Sequence, residues 1–275
     1  MAEQTGIIKL SGKLGDLVHY ERGGKHFSKT AAQGEHKFSA GSVAAQHSFG
    51  LGSAMGKQLK SAFKPLLDGY KYQGIHNRLT EICKQIYRAG PLYLTEKLYF
   101  TDYNIKALTG FNFNKFTAFD TLVIDNPVQL DYHTKGIVDI SIRQHRPTAC
   151  FFRNTKTRAA ALQFLFSIID LETSTFSNFL IPEIVIPFNQ TRFPGKKGKI
   201  QLSSLDNKLL LCTAQVRYYC DNELQYYSGN RKLIAAQIDH VAHMKEGAWV
   251  DYPQPIPEKS IKKADQHPTT PIIWE

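Results

Sequence analysis

The histidines and cysteines of this sequence are its residues best suited to bind a metal or attack a substrate, and their spacing favours neither. His240 and His243 stand three apart beside Asp239. That spacing shares one face of a helix but not of a strand. No Glu lies between them and no HExxH is present. His19, His133 and His145 read as surface residues. Cys83, Cys150, Cys212 and Cys220 form no CxxC pair, so no zinc site is expected. Ile82 precedes Cys83 and Leu211 precedes Cys212, the setting of inert buried thiols. Ser53, in Leu51-Gly52-Ser53-Ala54-Met55, lacks the second glycine of a nucleophile elbow. Gly50, Gly52 and Gly56 follow no strand and precede no Gly-Lys-Ser/Thr, so a phosphate loop is not expected. A loosened helix start or close helix packing explains them better. Asp120, Asp125 and Asp131 bracket Asn126-Pro127, which reads as turn chemistry and not as an acid–base pair. The expectation is a protein that is not an enzyme, with no catalytic residue, metal ligand, cofactor or small-molecule substrate.

Charge is the stronger signal. The 275 residues hold 34 Lys and Arg against 24 Asp and Glu, a net charge of +10. Residues 1–100 carry 14 basic against 7 acidic side chains, and the rest carry 20 against 17. The positive field is therefore concentrated at the N-terminal end. It suits an acidic partner: nucleic acid, an anionic membrane or an acidic face of another subunit. Basic residues in this proportion also fit an ordinary solvated surface. Lys9, Lys13, Arg22, Lys25, Lys29 and Lys37 are interleaved with Tyr20, His26 and Phe27. Lysines neutralise phosphates and aromatic rings stack on bases. A second basic stretch, Phe193-Pro194-Gly195-Lys196-Lys197-Gly198-Lys199, reads as a compact loop.

The elements that position these residues follow from hydrophobic period. Leu17–Arg22 and Lys25–Thr30 flank Gly23-Gly24, two residues suited to φ > 0, which predicts a tight hairpin. Small, polar residues over 31–48 read as a linker or an extended arm. Leu51, Met55, Leu59, Ala62, Phe63 and Leu66 recur at helical spacing, as do Ile75, Leu79, Ile82 and Ile86, predicting an αα-hairpin. From about Leu108 the period falls to two. Strands are expected at Thr121–Ile124, Val138–Ile142, Leu162–Ile169, Ile184–Ile186, Leu210–Tyr218, Leu224–Tyr227 and Leu233–Ile238. Pro182 and Pro187 make Ile184–Ile186 an edge strand. Strands in series without intervening helices predict an α+β fold built on an antiparallel immunoglobulin-like β-sandwich, with an N-terminal β-hairpin arm and a helical hairpin. The expected divisions are the arm at 1–41, the helical hairpin region at 42–107, the sandwich at 108–250 and a proline-rich tail at 251–275.

At the N-terminus, Gln4-Thr5-Gly6-Ile7-Ile8-Lys9-Leu10-x-Gly12-x-x-Gly15, followed by Tyr20, resembles the opening of a family of uncharacterised basic proteins of Bacteroidota. The basic helical stretch at 41–67 and Gly110-Phe111-Asn112-Phe113-Asn114 are similar to elements of that family. The likeness covers the first ~115 residues loosely and implies a shared architecture and a bacterial origin, with no activity attached. The tyrosine- and histidine-rich middle and the proline-rich tail depart from it.

The arm has no core of its own, and an isolated hairpin is marginal in water. Copies of the chain are therefore the expected partners: a self-assembling structural subunit forming a filament, tube or shell. Leu17, Val18, Tyr20, Phe27 and Trp274 are the expected apolar anchors. Lys9, Lys13, Arg22, Lys25, Lys29, Lys196 and Lys197 would meet a charged partner. The alternative is a nucleic-acid-binding protein using the same basic arm. No apolar run approaches the ~18–20 residues that span a bilayer. Met1–Leu10 lacks the pattern of a secretory signal, so a cytoplasmic location is expected, with release as an assembled particle left open.

Overall fold

Ala159–Asp170 and Lys208–Tyr219 are apolar on both sides of their alternation. In the computed structural model they are 12-residue strands, and both lie almost entirely buried. The structure describes residues 2–6, 8–31, 39–67, 74–89, 100–133, 136–202 and 205–253. The strands in chain order are β1 (Ala2–Glu3), β2 (Gly12–Leu14), β3 (Leu17–Arg22), β4 (Lys25–Thr30), β5 (Val128–Tyr132) and β6 (Ile137–Ile142). They continue as β7 (Ala159–Asp170), β8 (Thr175–Leu180), β9 (Ile184–Pro187), β10 (Lys196–Gln201), β11 (Lys208–Tyr219), β12 (Ile234–Lys245) and β13 (Ala248–Trp249). The helices are α1 (Ala40–Ala62), α2 (Lys64–Leu67), α3 (Ile75–Ala89), α4 (Phe119–Leu122) and α5 (Pro147–Cys150). The chain falls into two units, Met1–Ala45 and Gln46–Glu275.

In the larger unit every strand pair is antiparallel. The central sheet runs β13-β12-β11-β7-β8. β9 shares β7's outer edge with β8: β8 pairs with residues 165–170 of β7 and β9 with 159–162. A second sheet runs β10-β6-β5. One face of the central sheet, with Phe164, Phe166, Ile168, Leu210 and Val216, shares a core with Val138, Ile140 and Ile142 of β6. That face-to-face packing is sandwich-like. The opposite face, with Leu165, Ile169, Leu209, Leu211 and Ile238, shares a core with Leu59 of α1, Phe63, and Leu79, Cys83 and Ile86 of α3. The central sheet is thus the middle of three layers, which is why β7 and β11 read as doubly apolar.

Three polar residues of these strands, Ser167, Thr213 and Gln215, are buried under the helices. The side-chain amide of Gln215 donates to the Leu66 carbonyl at 2.9 Å, and that of Asn178 to the Ala62 carbonyl at 2.9 Å. Sheet side chains therefore satisfy carbonyls that the ends of α1 and α2 leave without intrahelical partners. Pro65, which has no N–H to donate, falls at the break between those two helices. Gly52 and Gly56 mark where α1 and α3 meet: a Cβ would stand 2.9 Å from the Lys84 amide nitrogen at Gly52 and 3.0 Å from that of Thr80 at Gly56.

Several local expectations are corrected. Thr121 and Leu122 belong to the short helix α4, and α5 also interrupts the strand series. Leu224–Tyr227 forms no strand and makes a single bridge, Tyr219 to Tyr227. Lys196–Gln201 is a strand, β10, and not a loop. The helix expected from about Ser42 begins at Ala40, inside the stretch read as a linker. The Gly110–Asn114 element lies along β12, through Gly110 N–H to the Ile238 carbonyl and Phe113 N–H to the Ala236 carbonyl, both 2.8 Å. The start of the tail is tied down: Asn104 donates to the Pro253 carbonyl at 2.8 Å, and Tyr252 is buried.

Candidate functional site

The smaller unit is a four-stranded antiparallel sheet in the order β1-β4-β3-β2. Gly23 (φ +63°) and Gly24 (φ +78°) join β3 to β4, the two left-handed positions a two-residue hairpin turn requires. Register then assigns every side chain to a face, because directly opposed residues point the same way. Lys13, Val18 and Lys29 form one row across β2, β3 and β4. Tyr20, Phe27 and Glu3 form the next, across β3, β4 and β1. Arg22 and Lys25 form the third. Two cationic rows therefore bracket an aromatic one on a single face.

The aromatic row is ordered. The rings of Tyr20 and Phe27 stack with centroids 5.8 Å apart and planes 29° from parallel. The Lys29 ammonium stands 5.8 Å from the Tyr20 centroid, within cation–π range. Lys25 pairs with Glu3 at 3.3 Å, an exposed ion pair of small energetic value. Among the described residues, Lys13, Arg22 and Lys29 face no carboxylate at ion-pair distance.

The opposite face carries Leu14, Leu17, His19, Glu21, His26 and Ser28. His19 Nδ1 is 2.8 Å from the Ser28 hydroxyl. The Gln4 side chain accepts from the Leu10 N–H at 2.8 Å and donates to the Leu10 carbonyl at 3.2 Å, closing the segment between β1 and β2. His19, expected on the surface, is the only buried residue among the described residues of this unit, at 8% exposure. Leu14 is 66% exposed and Ile8 79%, and Leu10 and Leu17 are also exposed.

The expected contact residues are thus split. Val18, Tyr20 and Phe27 share a face with Lys13, Arg22, Lys25 and Lys29, whereas Leu17 lies on the other. Lys9 donates to the Gln4 carbonyl. Lys196 and Lys197 belong to the larger unit, on edge strand β10, opposite Ile142 and Ser141 of β6. Trp274 lies outside the described residues. The sequence carried the signal for the split, since Leu17 and Tyr20 differ by an odd number of positions in one strand.

In the larger unit the residues weighed for chemistry are dispersed. His240 and His243 lie on opposite faces of β12. His240 stacks on Tyr132 with centroids 3.9 Å apart, and His243 Nδ1 is 3.2 Å from the Tyr252 hydroxyl. His145, also expected on the surface, is buried beside Phe151 and Phe193. Asp239 is the extra residue of a bulge, since Cys212 opposes His240 while Thr213 opposes Ile238. Burial, and then the Asp120 charge, push its carboxyl above the usual range. Burial, and then Lys106, push His240 down to about 4. The four thiols are free, three of them buried, and burial raises Cys83 to about 12. No group of three metal-binding side chains occurs among the described residues. An open groove of about 540 Å³ between α1 and the β7–β8 turn, lined by Leu51, Met55, Gln58, Tyr87, Phe100 and Phe176, has Lys57 as its one charged lining residue among the described residues. Among the described residues no helix is long and apolar enough to cross a membrane.

Compared with protein-family models, with curated proteins and with solved structures, the chain matches none.

Proposed function

We propose that the chain is a non-catalytic structural subunit that assembles with copies of itself through its N-terminal sheet. One observation carries this reading: the sheet from Ala2 to Thr30 buries a single described side chain, His19, while Ile8, Leu10, Leu14 and Leu17 remain exposed. Ordering a residue costs about 1–2 kcal/mol of backbone entropy, and a sheet without a covered apolar face does not recover it alone. A second copy supplies a matching leucine face, either isologously in a closed pair or head to tail in a ring or filament. In this reading the two packed sheets of the larger unit form the body, an immunoglobulin-like sandwich in architecture. α1 and α3, drawn together at Gly52 and Gly56, form the helical hairpin that braces it. In this reading the chain is bacterial, as the N-terminal likeness to the Bacteroidota family suggests.

The test compares particle size, by light scattering and electron microscopy, for the full chain, a deletion of residues 1–40 and the double variant Leu14→Ser/Leu17→Ser. Large particles for the full chain and single subunits for both variants are expected. A monomeric full chain, or variants of unchanged size, would refute the reading.

The opposite face favours a second reading, a nucleic-acid-binding protein using the basic arm. The specific observation is that Lys13, Arg22, Lys25 and Lys29 all lie on the face that carries Tyr20 and Phe27.

A further inference from the structure

We infer that the basic face of the N-terminal sheet is a platform for single-stranded nucleic acid, with bases stacked on Tyr20 and Phe27 and phosphates met by Lys13, Arg22 and Lys29. The inference rests on the second reading, that the basic arm meets nucleic acid, and specifies the form of nucleic acid and the residues that hold it.

The arrangement of the rows carries the argument. Lys13 and Lys29 flank Val18 on one side of the aromatic row, and Arg22 and Lys25 lie on the other. The outer rows are four residues apart along β3, about 13 Å at ~3.3 Å per residue. A short strand laid along β3 meets cations at both ends and the partly exposed Tyr20–Phe27 ring pair between them. Base–aromatic stacking is tolerant of sequence, because every base offers a π-face. It also requires unpaired bases, since a duplex keeps its base faces stacked inside. Lysines alone would serve a duplex equally well; the stacked pair at 5.8 Å selects the single strand.

Two other acidic partners fit less well. A membrane surface would draw on cations and inserting apolar side chains together. Here the exposed Leu14 and Leu17 lie on the face opposite the cations. An acidic protein surface would use the cations and leave the ring pair without a role. Sequence preference is expected to be weak. The Gln4 amide, the one side-chain amide among the described residues of this sheet, is engaged with Leu10, so none is positioned to read base edges from the basic face.

The experiment is fluorescence anisotropy with labelled oligo-uridine, oligo-thymidine and a matched duplex, using the full chain over a range of salt. Both single strands are expected to bind at least tenfold more tightly than the duplex. The two arms, RNA and DNA, show which of them the platform favours. Tyr20→Ala and Phe27→Ala are each expected to weaken single-strand binding about tenfold or more. Tyr20→Phe is expected to keep it. Because an alanine in this thin sheet could also unfold it, a second variant, Lys13→Gln/Arg22→Gln/Lys29→Gln, leaves the ring pair and the leucine face intact. At about 0.7 per phosphate for single strands, it should flatten the log–log salt slope by roughly 2. Equal affinity for duplex and single strands, surviving Phe27→Ala, overturns the platform but leaves nucleic-acid binding standing. Failure of every oligonucleotide to bind overturns both. Binding to phosphatidylserine vesicles and not to oligonucleotides overturns both and reassigns the face to a membrane surface.

Discussion

Leu17 and Tyr20 sit three positions apart on β3 and point to opposite faces of the N-terminal sheet: Leu17 opposes Leu14 and Thr30, whereas Tyr20 opposes Phe27. The two proposed roles of the arm therefore separate by mutation. Leu17→Ser is expected to shrink the assembled particle and leave the affinity of each subunit for a short oligonucleotide within about twofold. Tyr20→Ala is expected to do the reverse. The first is read by light scattering and the second by anisotropy with an oligonucleotide too short to bridge two subunits. If either variant abolished both properties, the faces would not act independently.

The approach of α1 to α3 gives a prediction about stability. A Cβ on Gly52 would stand 2.9 Å from the Lys84 amide nitrogen, and backbone cannot swing aside as a side chain can. Gly52→Ala is expected to destabilise the fold by about 1–3 kcal/mol through overpacking. Gly50 lies in the same helix with nothing within 4 Å of its Cβ position. There, alanine's helix preference acts alone, and Gly50→Ala is expected to stabilise by about 0.5–1 kcal/mol. Urea unfolding of both variants checks the pair. A stabilising Gly52→Ala would mean that the helices are not in close contact.

Acid sensitivity follows from His240. Its folded pKa is held down to about 4 by burial, with Lys106 adding to the effect, against about 6.5 in an unfolded chain. The fold binds the neutral ring, so this contribution is complete above about pH 6.5 and is lost as pH falls towards 4. At 1.36 kcal/mol per pH unit, the loss is about 3 kcal/mol. Asp239 works in the opposite sense: its carboxyl is raised, so it favours the fold when protonated and costs stability as pH rises above the carboxylate range. His240→Phe keeps a ring against Tyr132 and removes the titration. Thermal unfolding between pH 6.5 and 4 is expected to show a steep decline in the parent and a shallower one in the variant. Parallel curves would exclude His240 as the source.

How much of this was legible in the sequence differs by element, for physical reasons. Gly23-Gly24 between two β-prone runs marks the β3–β4 turn because the signal is local and two left-handed positions suit few other residues. The stripe through Leu51, Met55 and Leu59 marks α1 for the same reason. The third layer was not legible. Ser167 and Gln215 look like solvent-facing positions of a two-layer sandwich, and only the placement of helices over that face buries them. Thr121–Leu122 has strand-forming residues, but their helical turn is set by long-range packing, with Phe119 and Leu122 in the core of the two sheets. In the candidate site, the residue types were legible and their grouping was not: the cations and rings could be named, but the register across three strands places Lys13 beside Val18 and Glu3 beside Phe27.

A charged cluster spans β9, β7 and β11 at one end of the central sheet, and no short-range pattern announces it. Glu183, in the turn before β9, accepts from the Tyr219 hydroxyl at 2.7 Å, from Arg217 at 3.2 Å and from the Tyr227 hydroxyl. The guanidinium carbon of Arg217 lies 4.0 Å from the centre of the Tyr227 ring, and Arg217 also donates to Gln163 at 3.1 Å. The side chains of Glu183 and Arg217 are only 16% and 17% exposed, so the pair is little screened by solvent. Removing one partner from such a pair costs more than the pair contributes, because the other charge is left in a poorly solvated place. Glu183→Ala is therefore expected to destabilise the fold by about 3 kcal/mol or more. Glu183→Gln, which keeps an acceptor for the tyrosine hydroxyls, should cost less. Chemical denaturation of both variants provides the comparison, with the Tyr219–Tyr227 stack, centroids 4.5 Å apart, as a near-ultraviolet circular dichroism reporter. Equal losses for alanine and glutamine would place the whole effect in the charge and none in the hydroxyl bonds.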